Sequence, residues 1–302
     1  MNPALRGSGN YLTLDVPSNG TESSVPVDEE KRSSAYLLSE IGGQEVERLR
    51  KQAAIWLSLE LPDILKTLPQ TGRFVDLGCG IGLLADAVAQ ERPDVQVFGF
   101  DADAIAVEQS LRRFGGRPGL VFDQRRLEQG PPPGFQAADV AVLRLVLMHL
   151  PDPKGALEAA RAWLKPDGVL HVIETDDRFM SFEPLPAWLP GLLDLMQAIQ
   201  KKRGGDRWLG AELAALLSSA GWNVVGQKQS ALDPSATAAA VPKVFLPVAE
   251  FYLAEAERRA FIGPDRIEML RQGLGQIREG LFVRATIPVF HAWARGISGV
   301  IA

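Results

Sequence analysis

The strongest chemical signature in the chain is Phe74-Val75-Asp76-Leu77-Gly78-Cys79-Gly80-Ile81-Gly82. An apolar run ends near an acidic residue, and three glycines at alternating positions lead into a helical pattern. Glycine adopts positive φ and lets a ligand meet the backbone with no Cβ in between. At the carboxyl end of a strand in a parallel sheet, such a turn is a ligand site. Spacing narrows the ligand class. A dinucleotide turn wants G-x-G-x-x-G, with pyrophosphate on the helix N-terminus. Here Leu83 stands in the third-glycine position, so the ligand need not carry a pyrophosphate. A second apolar run, Val97-Phe98-Gly99-Phe100-Asp101, ends in a carboxylate nineteen positions beyond Gly82. It can accept hydrogen bonds from both hydroxyls of a ribose. Asp103 is the better N-cap for the following helix, which leaves Asp101 to the ligand.

The elements that position these residues follow from periodicity. Val46, Leu49, Ala53, Trp56, Leu57 and Leu61 recur at helical spacing, which predicts a helix over 44–60; Pro62 marks its end or opens a second helix over 63–68. Strands are then expected at 73–77, 95–100, 120–123, 140–143 and 168–173. Helices at 83–90, 104–114 and 153–164 alternate with them. That alternation implies a parallel sheet covered on both faces. Added helical material is expected over 184–202 and 241–279. A helix over 211–220 and a strand over 222–227 lie between these insertions. A last strand over 281–293 contains Pro288, which cannot donate to a ladder and predicts a bulge or an early end. The chain thus divides into a flexible leader (1–33), an N-terminal helical cap (34–70), a core (71–178), a helical insertion (179–208) and the remainder of the core (209–302).

On these residues the chain resembles the class I S-adenosylmethionine (SAM)-dependent methyltransferases, in particular the group similar to the ubiquinone and menaquinone biosynthesis enzymes. The likeness runs from about Tyr36 to Val225. It is most specific at Asp76–Gly82, at Asp101, in the run from Asp139 to Pro153 that contains Met148-His149-Leu150-Pro151, and in Ala160-Arg161-Ala162-Trp163-Leu164-Lys165-Pro166-Asp167-Gly168. It implies an α/β, Rossmann-like, seven-stranded and mostly parallel sheet with an antiparallel last strand, helices on both faces and helical lid insertions. It also implies SAM as cofactor, with Gly78, Cys79 and Gly80 along its methionine part and Asp101 on its ribose. Tyr36, Gln52, Asp76, Ala102, Arg126, Leu127 and Arg144 complete the expected cofactor set. One departure stands out: Arg126 occupies the slot where the family usually has an acidic residue for the adenine amino group. It stacks on the ring or faces water. Arg48 and Gln52 share a helix face, toward the SAM carboxylate or toward solvent.

Two candidates could handle a proton on the acceptor. His149 follows the fourth strand at the substrate-side edge, and its ordinary pKa suits a general base. Asp176, within Glu174-Thr175-Asp176-Asp177, follows the fifth strand, where these carboxylates could bind a cationic amine, act as base or cap a next helix at Ser181 or Phe182. His171 and His291 fall inside strands and read as structural. Three scattered histidines and one cysteine give no metal-ligand cluster, and no G-x-S-x-G turn supports a hydrolase. A net charge of -5 argues against a protein that grips nucleic acid. The single cysteine, Cys79, suits a reducing compartment, and no secretory signal or uninterrupted membrane-length apolar run is seen, so a cytoplasmic location is expected. The expected partner is a small-molecule acceptor, with neither nucleic acid nor membrane, and a homodimer stays open. A non-catalytic SAM-binding protein is the alternative.

Overall fold

The computed structural model describes residues 43–296. Helix α1 covers Gly43–Thr67 as one element, where two helices meeting at Pro62 were expected. Pro62 removes the hydrogen bond to the Ser58 carbonyl. Both residues lie on the exposed face, where that carbonyl is open to solvent, and Trp56, Ile64 and Leu68 stay buried on either side. The helix therefore runs through.

Next come β1 (Gly72–Leu77), α2 (Leu83–Glu91), β2 (Val95–Asp101), α3 (Ala104–Phe114), β3 (Leu120–Gln124) and β4 (Ala138–Arg144). They are followed by α4 (Pro153–Ala159), β5 (Leu164–Thr175), β6 (Ser181–Glu183), α5 (Leu189–Lys202), α6 (Leu213–Ser219) and β7 (Trp222–Ser230). The chain closes with α7 (Pro234–Arg258), α8 (Pro264–Arg278), β8 (Arg284–Thr286) and β9 (Val289–Gly296). The main sheet has seven strands in the order β3-β2-β1-β4-β5-β9-β7. β1 pairs in parallel with β2 and β4, β2 with β3, and β4 with β5, whereas β9 runs antiparallel to both β5 and β7. The strand order reverses between β1 and β4, so a crevice opens there at the carboxyl edge.

Strands buried on both faces need two apolar layers. One contains Trp56, Ile64, Phe74, Val88 and Val140, under α1 and α2. The other contains Val75, Leu143, Leu157, Trp163 and Leu213, under α4 and α6. A third cluster, separate from both, joins α5, α7 and α8 through Leu192, Met196, Phe245, Tyr252 and Leu270.

The expected last strand, 281–293, is two strands. β8 pairs with β6 in a small two-stranded sheet, while β9 enters the main sheet. Pro288 lies between them, where no ladder needs its missing N–H. Helix α7 begins earlier than expected, capped by Asp233, whose side chain accepts from the amides of Ser235 and Ala236. At 25 residues it is the one described helix with the length and apolar content of a membrane span, and 50% of its most apolar window is buried. Its apolar face forms much of the third cluster.

Candidate functional site

The glycine turn after β1 is held first by backbone hydrogen bonds. Gly78 and Cys79 donate their amides to the Phe100 carbonyl at 2.7 and 3.0 Å, tying the turn to the end of β2. Gly78 and Gly80 both have positive φ, at 78° and 53°. They differ in what surrounds them. A Cβ on Gly78 would strike Val146, whereas a Cβ on Gly80 would meet nothing within 4 Å. Gly80 thus presents bare backbone to open space. The Asp101 carboxylate closes this corner, its Oδ2 accepting from Gly80 N and its Oδ1 from Asp103 N, both at 2.8 Å. Burial pushes its pKa up, and those amide bonds pull it partly back. Asp103 caps α3 by accepting from Ile105 N at 2.8 Å, as its position predicts.

Beneath the turn, Asp76 is buried and its pKa is pushed up to about 7, chiefly by burial, with nearby Arg144 opposing. Arg144, at the end of β4, pairs through Nε and Nη2 with buried Glu60 of α1. The next residue, Leu145, takes a left-handed conformation (φ 56°), and its amide donates to the Ile173 carbonyl at 2.7 Å. Oε1 of Glu174 then accepts from the amides of Val146, Leu147 and Met148 at 2.9, 2.6 and 3.4 Å. Burial raises the Glu174 pKa to about 8, and its Oε2 has no hydrogen-bond partner among the described residues.

The glycine turn, Asp101, Arg144 and, from the loop after it, Leu145, Val146 and Met148 line one cavity of about 270 Å³ at the switch point, a size close to the lower end for small-ligand clefts, about 300 Å³. Gln52, Asp76, Gly78, Cys79, Gly80, Asp101, Ala102, Arg126, Leu127 and Arg144 all border it. Tyr36 lies outside the described residues. A bare glycine backbone, a carboxylate one strand away and an apolar flank at Leu127 fit a nucleoside bearing an amino-acid tail. The description "Methyltransferase domain" belongs to the family model that matches residues 48–227. The chain belongs to the class I methyltransferase family. The ubiquinone biosynthesis O-methyltransferase of Actinobacillus pleuropneumoniae serotype 5b is 28% identical over 154 residues, covering 44% of this chain and 64% of that protein. Its namesake from Xylella fastidiosa is 34% identical over 121 residues, covering 38% of this chain and 46% of that protein. The chain thus spans less than two thirds of either curated relative. Among solved structures, the YcgJ protein of Bacillus subtilis superposes with a TM-score of 0.50 at 17% identity, covering 80% of this chain and 98% of that one, a likeness of fold.

In this methyltransferase domain the far wall of the cavity comes from side chains. His149, Thr175, Arg207, Phe251 and Tyr252 line it, with Pro247 and Val248 of α7. Gln200 of α5 donates from Nε2 to the Met148 carbonyl at 2.8 Å and lies 3.1 Å from His149 Nδ1. The Tyr252 hydroxyl donates to Gln200 Oε1. Arg207 Nη1 lies 3.4 Å from that hydroxyl, and its Nε donates to buried Asp177 at 2.5 Å.

The expectation that Asp176 stands on the cavity rim as a base is corrected. It is fully buried, its Oδ1 accepts from the Arg178 amide and side chain, and its Oδ2 accepts from Arg178 and the Ala211 amide. It caps the turn after β5, and Glu174 and Asp177 are likewise committed to loop amides and to Arg207. Arg48 donates to Glu45 and to Gln52 Oε1, and all three residues line the cavity. His171 and His291 meet inside the sheet in a ring-nitrogen contact of 2.8 Å between Nδ1 and Nε2, and neither borders the cavity.

Sequence reasoning missed Glu60, Arg207 and Gln200. A lone buried-helix glutamate and polar residues inside insertions carry no local signal of where they point. Only the apolar run that contains Val146 and His149 hinted at a wall element, and its left-handed Leu145 is unmarked by any turn residue.

Proposed function

We propose that this cavity binds SAM and that the chain transfers its methyl group to an O, N or C atom of a small organic acceptor. The carrying observation is the corner where Gly80, open where a Cβ would sit, meets the Asp101 carboxylate. Asp101 is the natural acceptor for ribose hydroxyls, and the Gly78–Gly80 backbone leaves room for the methionine tail. Arg144, held by Glu60, is suited to the tail's carboxylate. Bound there, SAM supplies a methyl group on a sulfonium and leaves as S-adenosylhomocysteine. The protein's task is then alignment and exclusion of water. The helical layer of α5, α7 and α8 acts as a lid whose Val248, Phe251 and Tyr252 favour an apolar or aromatic acceptor. The resemblance to ubiquinone biosynthesis O-methyltransferases supports the same class of acceptor. Cys79 as single cysteine supports a cytoplasmic setting.

Calorimetric titration with SAM, S-adenosylhomocysteine and NAD tests the cofactor, with binding expected for the first two alone. Methyl-labelled SAM incubated with a panel of phenols, amines and quinols tests transfer. Label in no product, with SAM bound, would instead support a silent SAM-binding protein, a reading that Arg126 in the usual acidic slot keeps in view.

A further inference from the structure

Arg207 is a buried cation of the cavity's far wall, and its donors outnumber the acceptors around it. Its Nε and Nη2 donate to the two oxygens of the Asp177 carboxylate at 2.5 and 3.2 Å. Its Nη1 donates over 3.4 Å to the Tyr252 hydroxyl, whose ring centre lies 5.2 Å from the guanidinium carbon. A guanidinium carries five N–H donors. Asp177 and Tyr252 take three of them, which leaves one hydrogen on Nη1 and one on Nη2 with no acceptor among the described residues. Arg207 borders the cavity, whereas Asp177 does not. We propose that the Nη1–Nη2 end of Arg207 is the recognition site for a carboxylate on the methyl acceptor, which makes the acceptor an apolar or aromatic acid.

The chemistry of the group selects its ligand. Two N–H donors on neighbouring guanidinium nitrogens match the two oxygens of a carboxylate, and such charge-assisted pairs outdo neutral hydrogen bonds. Buried donors left without a partner are costly, so a ligand that supplies both acceptors gains doubly. Burial works against the charge on Arg207, but Asp177 outweighs it and the pKa is raised, so the fork stays charged. Its backbone is fixed as well. The Arg207 amide donates to Gln197 Oε1 at 2.8 Å, and its carbonyl accepts from the Asp177 amide at 3.2 Å. The positive field reaches the rest of this wall: burial first, and then Arg207, push the His149 pKa down to about 3. The other cations here, Arg48 and Arg203, face Glu45 and Glu255, while the cavity carboxylates Asp76 and Asp101 lie at the glycine turn. Val248 and Phe251 border the same cavity and would flank an apolar body. A cationic amine brought to this wall would meet a guanidinium of its own sign.

The acceptor role rests on the methyl-transfer reading, whereas carboxylate capture can be measured with no SAM present, so the two fail separately. Benzoate, phenylacetate and 3-phenylpropionate, each beside its primary amide, are titrated calorimetrically into the full-length protein, with and without S-adenosylhomocysteine. At least one acid should bind more tightly than its amide by about tenfold or more in both settings. Arg207→Lys keeps a cation for Asp177 but removes the fork, and should lose most of that preference. Arg207→Met combined with Asp177→Asn leaves neither charge buried alone, and should bring acid and amide to within about twofold of each other. SAM affinity should move by about twofold or less in Arg207→Lys. Amides that bind as well as the acids, three acids that all fail to bind, or a preference that survives in both variants would each overturn the proposal. So would a loss of SAM affinity of about tenfold or more in Arg207→Lys, since the fork would then belong to the cofactor's own carboxylate.

Discussion

On one side of the cavity, backbone makes the wall. The amides of Gly78 and Cys79 and the open flank of Gly80 all come from one short run, fixed by hydrogen bonds to a single strand end and to Asp101. On the other side, Asp177, Gln200, Arg207 and Tyr252 meet from the loop after β5, from α5, from the segment after it and from α7. The first wall is a local motif with a ligand-shaped gap. The second is a long-range network in which polar side chains distant in the chain satisfy one another. Truncation in the first should therefore damage binding more than folding, and truncation in the second the reverse.

The largest expected effect lies in the network. Asp177→Ala leaves the Arg207 guanidinium buried without its carboxylate, and breaking one side of such a pair costs about 3–5 kcal/mol. Urea denaturation should show that loss while the folded fraction still binds SAM within about twofold, a change that is small on the free-energy scale. A loss under about 1 kcal/mol would mean that Arg207 finds another partner, and the network would not be the fragile wall.

Next, Asp101→Ala should weaken SAM binding by about 100-fold, since bonds to a charged acceptor are worth about 1.5–3 kcal/mol each. The midpoint of unfolding should move less than for the network variant. Calorimetry with SAM settles it, and unaltered affinity removes Asp101 from the ribose.

A third test concerns the hinge between the walls, the loop that Glu174 holds. Its folded pKa, about 8, lies above its ordinary value of 4.5, so the fold favours the protonated acid. Stability from this group is complete below about pH 4.5 and is lost as pH rises through about 8. Glu174→Gln keeps an oxygen for the three amides and cannot ionise. Its stability minus that of wild type should grow by on the order of 1 kcal/mol per pH unit between about pH 5 and about pH 8, measured by denaturation at each pH. A difference that stays flat would show that Glu174 is ionised throughout.

The same contrast explains what could be read from the sequence. The glycine turn, the β2 carboxylate and the alternating strands and helices are legible because each depends on neighbours close in the chain. Pro62 misled because its cost depends on which face of α1 it occupies, and that face is set by packing against the sheet. The split of 281–293 into β8 and β9 depends on β6, which lies about a hundred residues earlier and has only three residues of its own. Asp176 looked available because a strand end is a good place for a base. Its capture by Arg178 and the Ala211 amide is a tertiary fact. Gln200 could not be singled out at all, since one glutamine among helical residues gains its meaning only when Met148 and Tyr252 are placed beside it.

The smallest expected effect separates motif from surroundings within the backbone wall itself. Arg126 borders the cavity but is exposed, and its amide, not its side chain, is tied down, donating to Gln129 Oε1 at 3.1 Å. An exposed charge contributes about 0.2–1 kcal/mol to a nearby interaction. Arg126→Glu, which restores the family's usual acidic residue, should therefore change SAM affinity by about threefold or less. Tightening beyond about tenfold would bring the new carboxylate onto the adenine amino group, and comparable weakening would mean that the guanidinium stacks on the ring. Either result would extend the ligand contacts of this wall from its backbone to a third side chain and narrow the distance between the two halves of the cavity. An affinity that hardly moves keeps adenine recognition with the Leu127 segment and the shape of the turn.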